Sequence, residues 1–393
     1  MLIVPSVHGD TGRGPHLGLK PGAGSCVCPD MRCPALGVAL ALVLACAAAP
    51  SPGPAPAPQA AAHGARAPAA NAAIAPAGPA PAANAANAPA RSPAAATRPP
   101  VAAAASCVDD AAPYDAEALR ARIAALAAPT LDGRAPGSPG DAAARAMLVE
   151  RFRCLGLTAA GADGSYEQPF EAGGRATANV VGYIAGDAPG GDVVVVAAHH
   201  DHLGDGHLGA NDNASGAAAL LAIPQAVRQG GAPHRTIAFA LFGGEELGLV
   251  GSRYFAAHPP AALPLARIVY DVNLDMIGSY AQAGAVYAMG TFRGLPAAAI
   301  LRDLARAQPG LHVALGGRGE GSDHEAFCAA GIPYAFFWTP DRRCYHARCD
   351  TLANLDLAHA AQIAARAGAL VRALADSPLD LAASRARLGC AGS

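Results

Sequence analysis

Stretches that are apolar at every position recur in this chain, among them VVVVAA at 193–198, IAFALF at 237–242 and YAFFW at 334–338. A strand with one wet face alternates apolar and polar residues, so an unbroken run calls for cover on both faces. Other β-rich runs are ANVVGYIAG, ARIVYDVNLD and GAVYAMG. Between and before them the pattern is helical, near 115–128, 138–155, 213–229, 246–257, 295–307 and 356–375. The second of these is the clearest. Ser138 caps it, Pro139 sits in its first turn, and Asp141 completes a capping box. Ala144, Leu148, Phe152 and Leu155 line one face, and Gly156 stops it. Pro224 lies inside the 213–229 stretch and is expected to kink it. Strands alternating with helices predict an α/β fold, a three-layer α/β/α sandwich around a mixed, mostly parallel central sheet.

The first third of the chain has a different character. Residues 47–105 are almost wholly Ala, Pro, Asn, Gly and Ser, too poor in large apolar groups to offset their ordering entropy. Four divisions follow: an upstream extension at 1–30, a signal peptide at 31–49, an Ala/Pro-rich disordered tether at 50–112 and a folded domain at 113–393. The segment MRCPALGVALALVLAC from Met31 carries one Arg and an apolar run too short to span a membrane, which fits an export signal. VLAC at 43–46 resembles a lipobox that would lipidate Cys46; plain cleavage near Ala49 is the alternative. The expected location is outside the cytoplasm, as a periplasmic, membrane-anchored lipoprotein or a secreted protein. Ten cysteines suit an oxidising compartment, six of them (Cys107, Cys154, Cys328, Cys344, Cys349 and Cys390) beyond the leader and signal. With 28 basic against 30 acidic residues, nothing suggests nucleic acid as a partner.

In open α/β sheets ligands bind beyond the carboxyl ends of the strands. His199 and Asp201 follow VVVVAA, Glu245 and Glu246 follow IAFALFGG, and Asp275 closes IVYDVNLD. His346 lies in the loop after YAFFW, and Asp212 sits in GANDNASG at the entrance of a helix. Separated segments would thus meet at one rim of the sheet. Two imidazoles and several carboxylates, with no Ser or Cys nucleophile beside them, suit divalent metal ions. Two ions held about 3.5–4 Å apart can act on one substrate. Their repulsion is on the order of 19 kcal/mol at an effective dielectric near 20, so a shared carboxylate and further anionic ligands are needed. Taken singly, each residue also has a plainer role. The histidines between 199 and 207 could form a solvated turn, Glu245-Glu246 a helix start, and Asp212 a turn or cap. Asp275 could be satisfied by backbone amides, His346 could be structural, and Tyr345 a packed aromatic.

The strings DGRAPGSPGD (132–141), AHHDHLG, GANDNASG, GGEELGLVGS, NLDMIG, GSDHEAF and CYHARCDT (344–351) occur in an order that resembles the dinuclear-zinc aminopeptidase family. This family of secreted bacterial exopeptidases also contains glutamate carboxypeptidases and glutaminyl cyclases. The resemblance implies two Zn²⁺ per chain, with His199 and Asp275 on the first, Glu246 and His346 on the second, and Asp212 bridging. It implies Glu245 as general base, Asp201 as the acceptor that fixes the His199 tautomer, and Tyr345 as a donor to the oxyanion. It also implies a Cys344–Cys349 disulfide. Residues two apart in an extended chain share a face, which places Asp201 beside His199 and turns His200 away. His202 and His207 are expected to be loop or pocket-lining residues, and Asp323 and His324 to shape the pocket wall.

The implied activity is hydrolysis of the N-terminal residue of peptides by a monomeric aminopeptidase. A carboxypeptidase would need a cationic clamp, for which Arg318, Arg342, Arg343 and Arg348 are candidates. A glutaminyl cyclase of this family uses one zinc and lacks the His199-type ligand. A non-catalytic binding ectodomain would lack ligands, and none is missing here.

Overall fold

The computed structural model describes residues 112–188 and 191–390. The upstream extension, the signal segment with Cys46, the tether up to residue 111 and Cys107 lie outside the described residues.

One nine-stranded sheet forms the centre. In chain order its strands are β1 (Thr158–Ala159), β2 (Glu167–Ala172), β3 (Arg175–Ile184), β4 (Val193–His199), β5 (Thr236–Phe242), β6 (Ile268–Leu274), β7 (Val286–Met289), β8 (Val313–Leu315) and β9 (Tyr334–Trp338). The spatial order is β1-β3-β5-β4-β6-β9-β7-β8, with β2 also paired to β3. The middle four strands, β5, β4, β6 and β9, run parallel. Antiparallel pairs flank them, β3 on β5 at one side and β7 on β9 at the other. The sheet is therefore mixed, and parallel where the site lies.

The unbroken apolar runs behave as two-sided burial demands. Every residue of β4, β5 and β6 is buried. On β4, Val194, Val196 and Ala198 join the larger apolar cluster, while Val193, Val195 and Ala197 join a second one on the other face. Each buried valine is worth about 1.5–3 kcal/mol relative to exposure, so a polar residue on either face would be costly. The larger cluster packs under α1 (Ala116–Leu126), α2 (Pro139–Cys154), α3 (Gly216–Gln229) and α8 (Leu357–Asp376). The second packs under α4 (Val250–Ala257), through Phe255, and under α7 (His324–Ala329), through Phe327. Three short or peripheral helices complete the described residues: α5 (Tyr280–Ala283), α6 (Pro296–Ala307) and α9 (Leu381–Leu388). This is the expected three-layer arrangement.

Several local expectations shift. Ser138 does accept from the Asp141 amide, but the Asp141 carboxylate takes the amide of Gly137 rather than that of Ser138. That carboxylate is drawn inward by Thr177, 2.8 Å away, and His200, 3.2 Å away. The helix expected from 246 starts at Val250, because Gly248 and Leu249 have left-handed φ of 99° and 61° and close a turn. The helix expected from 213 starts at Gly216, after a wider turn over 210–215 that contains a cis Asp212-Asn213 bond. It continues past Pro224 to Gln229. β2 was not anticipated, since Pro169 lies inside it; the strand pairs on one side only, where a missing amide is tolerated. Cys344 and Cys349 are bridged as expected, and Cys328 is joined to Cys390.

Candidate metal centre

The parallel strands deliver their polar ends to one rim. His199 is the last residue of β4 and pairs with Phe242, the last of β5. Asp275 follows β6 directly, Glu245 and Glu246 stand in the turn after β5, and His346 is in the loop after β9. Asp212 comes from the turn before α3.

These side chains meet. His199 Nε2 lies 3.3 Å from Asp212 Oδ1 and 3.4 Å from Asp275 Oδ1. His346 Nε2 lies 3.2 Å from Asp212 Oδ2 and 3.0 Å from Glu246 Oε2. The two oxygens of Asp212 therefore face two different imidazole–carboxylate pairs. Donor atoms about 2.0–2.1 Å from a tetrahedral zinc are roughly 3.3–3.4 Å from one another, and the observed separations cluster around that value. His199 Nε2 and Asp275 Oδ1 are buried and make no hydrogen bond among the described residues, although each is a strong polar atom. Unpaired buried atoms at ligand spacing fit a cation between them. Zinc, which takes nitrogen and oxygen donors, fits this set.

The carboxylates and imidazoles shift one another's pKa values. Burial pulls His199 down, but Asp275, Glu245, Asp201 and Asp212 outweigh it and the net shift is upward. Burial likewise opposes protonation of His346, yet bonds to Asp212 and Glu246 raise it to about 10. Burial raises Asp212 and Glu246, but the imidazoles on each more than reverse this, and both are lowered. Burial pushes Glu245 up to about 10, with His199 opposing and Asp323 and Asp275 adding. Its Oε2 stands 4.0 Å from His199 Nε2, within reach of a reacting group held at the pair of sites.

Asp201 is placed beside His199, but not quite as expected. The nearest acceptor to His199 Nδ1 is the Asp201 carbonyl oxygen at 3.2 Å, with the carboxylate at 3.6 Å. The carboxylate instead accepts the amides of Glu245 and Glu246, at 3.1 and 3.3 Å, and so fixes the turn that carries both glutamates. His200 turns away, as expected, to Asp141. His207 is a loop residue, with Nδ1 3.0 Å from the Gly204 carbonyl. His202 is more than a lining residue. It is fully buried, with Nδ1 2.6 Å from Glu246 Oε1 and 3.9 Å from Asp212 Oδ2, and belongs to a second possible metal-holding trio with them. Strand alternation could not show this, because β4 ends at His199 and the chain turns. Asp350 was also missed. It accepts the amides of Asn211 and Asp212 at 2.6 and 3.0 Å, and its proximity to His346 in the string CYHARCDT was the only signal.

Tyr345 is 55% exposed and stacks on His346 with ring centroids 3.8 Å apart. Burial of its phenol, then the nearby carboxylates, raise its pKa, so it is a neutral donor. Asp323 and His324 are fully buried. His324 lies against Tyr334 and Phe336, with ring centroids 4.5 and 4.4 Å away.

A family model described as "Peptidase family M28" matches residues 179–371, which span every one of these candidate residues. The region 179–371 belongs to peptidase family M28. It is 31% identical over 294 residues to "Leupeptin-inactivating enzyme 1" of Streptomyces exfoliatus, covering 67% of this chain and 62% of that relative. The chain thus spans about three-fifths of that relative's length. Among solved structures, a zinc aminopeptidase from Bacillus subtilis aligns with a TM-score of 0.58 at 17% identity, over 69% of this chain and 98% of that one. A glutaminyl cyclase from Porphyromonas gingivalis aligns with a TM-score of 0.55 at 20% identity, over 66% and 99% of the two chains. At such identities the likeness is one of fold, and two activities share it.

Proposed function

We propose that the chain is an exported, zinc-dependent aminopeptidase that removes the N-terminal residue of peptides. The observation that carries this reading is the split of Asp212 between two pairs, His199 with Asp275 and His346 with Glu246. Those five residues would hold two Zn²⁺ ions. Bound there, the ions would supply Lewis acidity to the scissile carbonyl and make water acidic enough to attack near neutral pH.

The protein's own groups do the rest. Glu245 is half-buried beside the first pair; cations held there would favour its ionised form, which would take the proton of the attacking water and pass it to the departing amine. Asp201 keeps Glu245 aimed by holding its amide. Ionised in the presence of the cations, the carboxylates of Glu245 and Asp275 would give a free α-amino group a negatively charged seat. Tyr345 would donate its hydroxyl proton to the oxygen that gains charge during attack.

A carboxypeptidase needs a cation facing that seat, and three of the four arginines noted in the sequence lie against other groups. Arg348 pairs with Asp205 at 3.0 Å, and Arg343 donates to Asn354 at 3.2 Å. Arg318 lines a cavity of about 680 Å³ with Arg253 and Glu320, which none of the five ligand residues touches. A one-metal cyclase would leave the His199–Asp275 pair without a purpose.

Two disulfides among the described residues accord with export directed by residues 31–49, and lipidated Cys46 would tether the domain to a membrane. Aminoacyl and N-blocked peptides assayed with and without chelator provide the test. Release of free N-terminal residues, abolished by chelator, is expected together with about two zincs per chain. Cleavage of blocked peptides at their far end would overturn the reading.

A further inference from the structure

The motif DGRAPGSPGD supplies no candidate ligand, yet its first three residues press against the loop that runs from His199 to Asp212. Arg134 is completely buried. Its Nε donates to the His200 carbonyl at 2.6 Å, and its Nη1 to the carbonyls of Leu126 at 2.6 Å and Leu208 at 2.8 Å. Its Nη2 donates to the Gly209 carbonyl at 3.0 Å. His200 directly follows His199, and Gly209 stands three residues before Asp212; Leu126 ends α1. One planar guanidinium therefore ties the chain just after one ligand to the chain just before another, and anchors both on a helix end.

Its neighbours support the same loop. Asp132 Oδ1 accepts the Gly206 amide at 2.8 Å. Gly133 has φ +71°, and a Cβ there would collide with the His207 carbonyl oxygen. Asp132 and Arg134 also take left-handed φ, 44° and 59°, a conformation that persists in such residues only where the surroundings enforce it. All four acceptors of Arg134 are neutral carbonyls, so no ion pair explains its burial. Burial lowers its pKa to about 10, with Asp201, Asp212, Asp350 and Glu246 opposing, and it remains a cation at neutral pH.

We propose that Asp132, Gly133 and Arg134 form a brace that sets the spacing between His199 and Asp212, with Arg134 as the positioning residue. A metal site tolerates errors of only about 0.2 Å in its ligand distances, so loop register matters. Lysine keeps the charge but lacks the rigid fork that reaches carbonyls on three segments at once. In serving metal binding the brace rests on the zinc reading above; in ordering the loop it does not.

Arg134→Lys and Arg134→Met in the full chain test it, with folding followed by circular dichroism. Metal-free protein is examined first, by peptide-resolved hydrogen exchange. Exchange over 200–212 should be about tenfold faster in the variants, with the distant β7–β8 region unchanged. Zinc alone is then competed with a chromophoric chelator. Affinity should fall about 10–100-fold, and the visible spectrum of the Co²⁺-substituted protein should change. A folded Arg134→Lys with wild-type exchange and wild-type zinc affinity overturns the brace. If neither Arg134 variant folds, Asp132→Ala decides, since that side chain is exposed and contributes one bond to the loop. Faster exchange around Gly206 and a few-fold weaker zinc binding support the brace, and no change in either overturns it. If the wild-type protein takes up no zinc, the peptidase reading fails, and the exchange measurement still judges the brace.

Discussion

The two halves of the candidate centre are built differently. His199 and Asp275 sit at or directly beyond the ends of adjacent parallel strands, and the His199 side chain is 1% exposed. His346 sits eight residues beyond β9, in a loop closed by the Cys344–Cys349 bridge, and its side chain is 35% exposed. Strand-end ligands inherit their positions from a ladder of backbone hydrogen bonds and a two-sided core. A loop ligand must be held by local devices: here the disulfide, the stacked Tyr345 and the Asp350 carboxylate that reaches back to Asn211 and Asp212. Rigidity inherited from the sheet and rigidity assembled from a loop should differ in metal exchange, in redox sensitivity and in acid stability.

The largest expected effect should leave that contrast intact. Glu245→Gln removes the proposed proton carrier and neither candidate ligand pair, so turnover should fall about 10²–10⁴-fold while zinc content stays at the wild-type level. Loss of one zinc in that variant would show that Glu245 holds metal.

Acid should act on the buried imidazole of His324, packed against Tyr334 and Phe336 of β9. Burial pushes His324 down to about 4, against an ordinary value near 6.5. Between those values the unfolded chain binds a proton that the folded chain refuses. The stability from a neutral His324 is therefore complete above about pH 6.5 and is lost as pH falls to about 4. The difference corresponds to about 3 kcal/mol. Urea unfolding of wild type and His324→Phe across that range would show it as a steeper loss in wild type, and parallel curves would remove His324 from the acid response.

Chelator should strip the halves in sequence. The His346–Glu246 side, whose imidazole is open to solvent, should release its metal first, and the His199–Asp275 side at a rate at least about tenfold slower. A single phase with simultaneous loss would erase the distinction between strand-held and loop-held ligands.

The smallest effect concerns the clip. Replacing Cys344 and Cys349 together with Ser should weaken only the metal released first, by about tenfold, because that loop loses one of three restraints. Equal weakening at both sites would mean that the disulfide acts on the domain as a whole.

Much of this architecture was visible in residue order. The unalternating runs at β4, β5 and β9 demanded a sheet covered on both faces, and the strand-end rule collected His199, Glu245, Glu246 and Asp275 without any coordinates. Ser138 announced α2 through its cap. Other elements were hidden. β2 contains Pro169 and pairs only with β3, and a free edge of that kind leaves no pattern in the sequence. His202 was set aside because alternation holds only while a chain stays extended, and the strand stops at His199. Asp350 and Arg134 act on backbone amides and carbonyls far along the chain, and no periodic pattern records such partners.

Taken alone, the sequence determined the layer order of the fold and the inventory of nitrogen and oxygen donors, because apolar periodicity and strand ends are local properties of a chain. Only the tertiary structure decided that Asp212 divides its two oxygens between His199 and His346, and that a buried arginine bonds to the loop between His199 and Asp212. Distances of about 3 Å between residues more than a hundred positions apart arise from packing and loop closure, which depend on the whole fold at once.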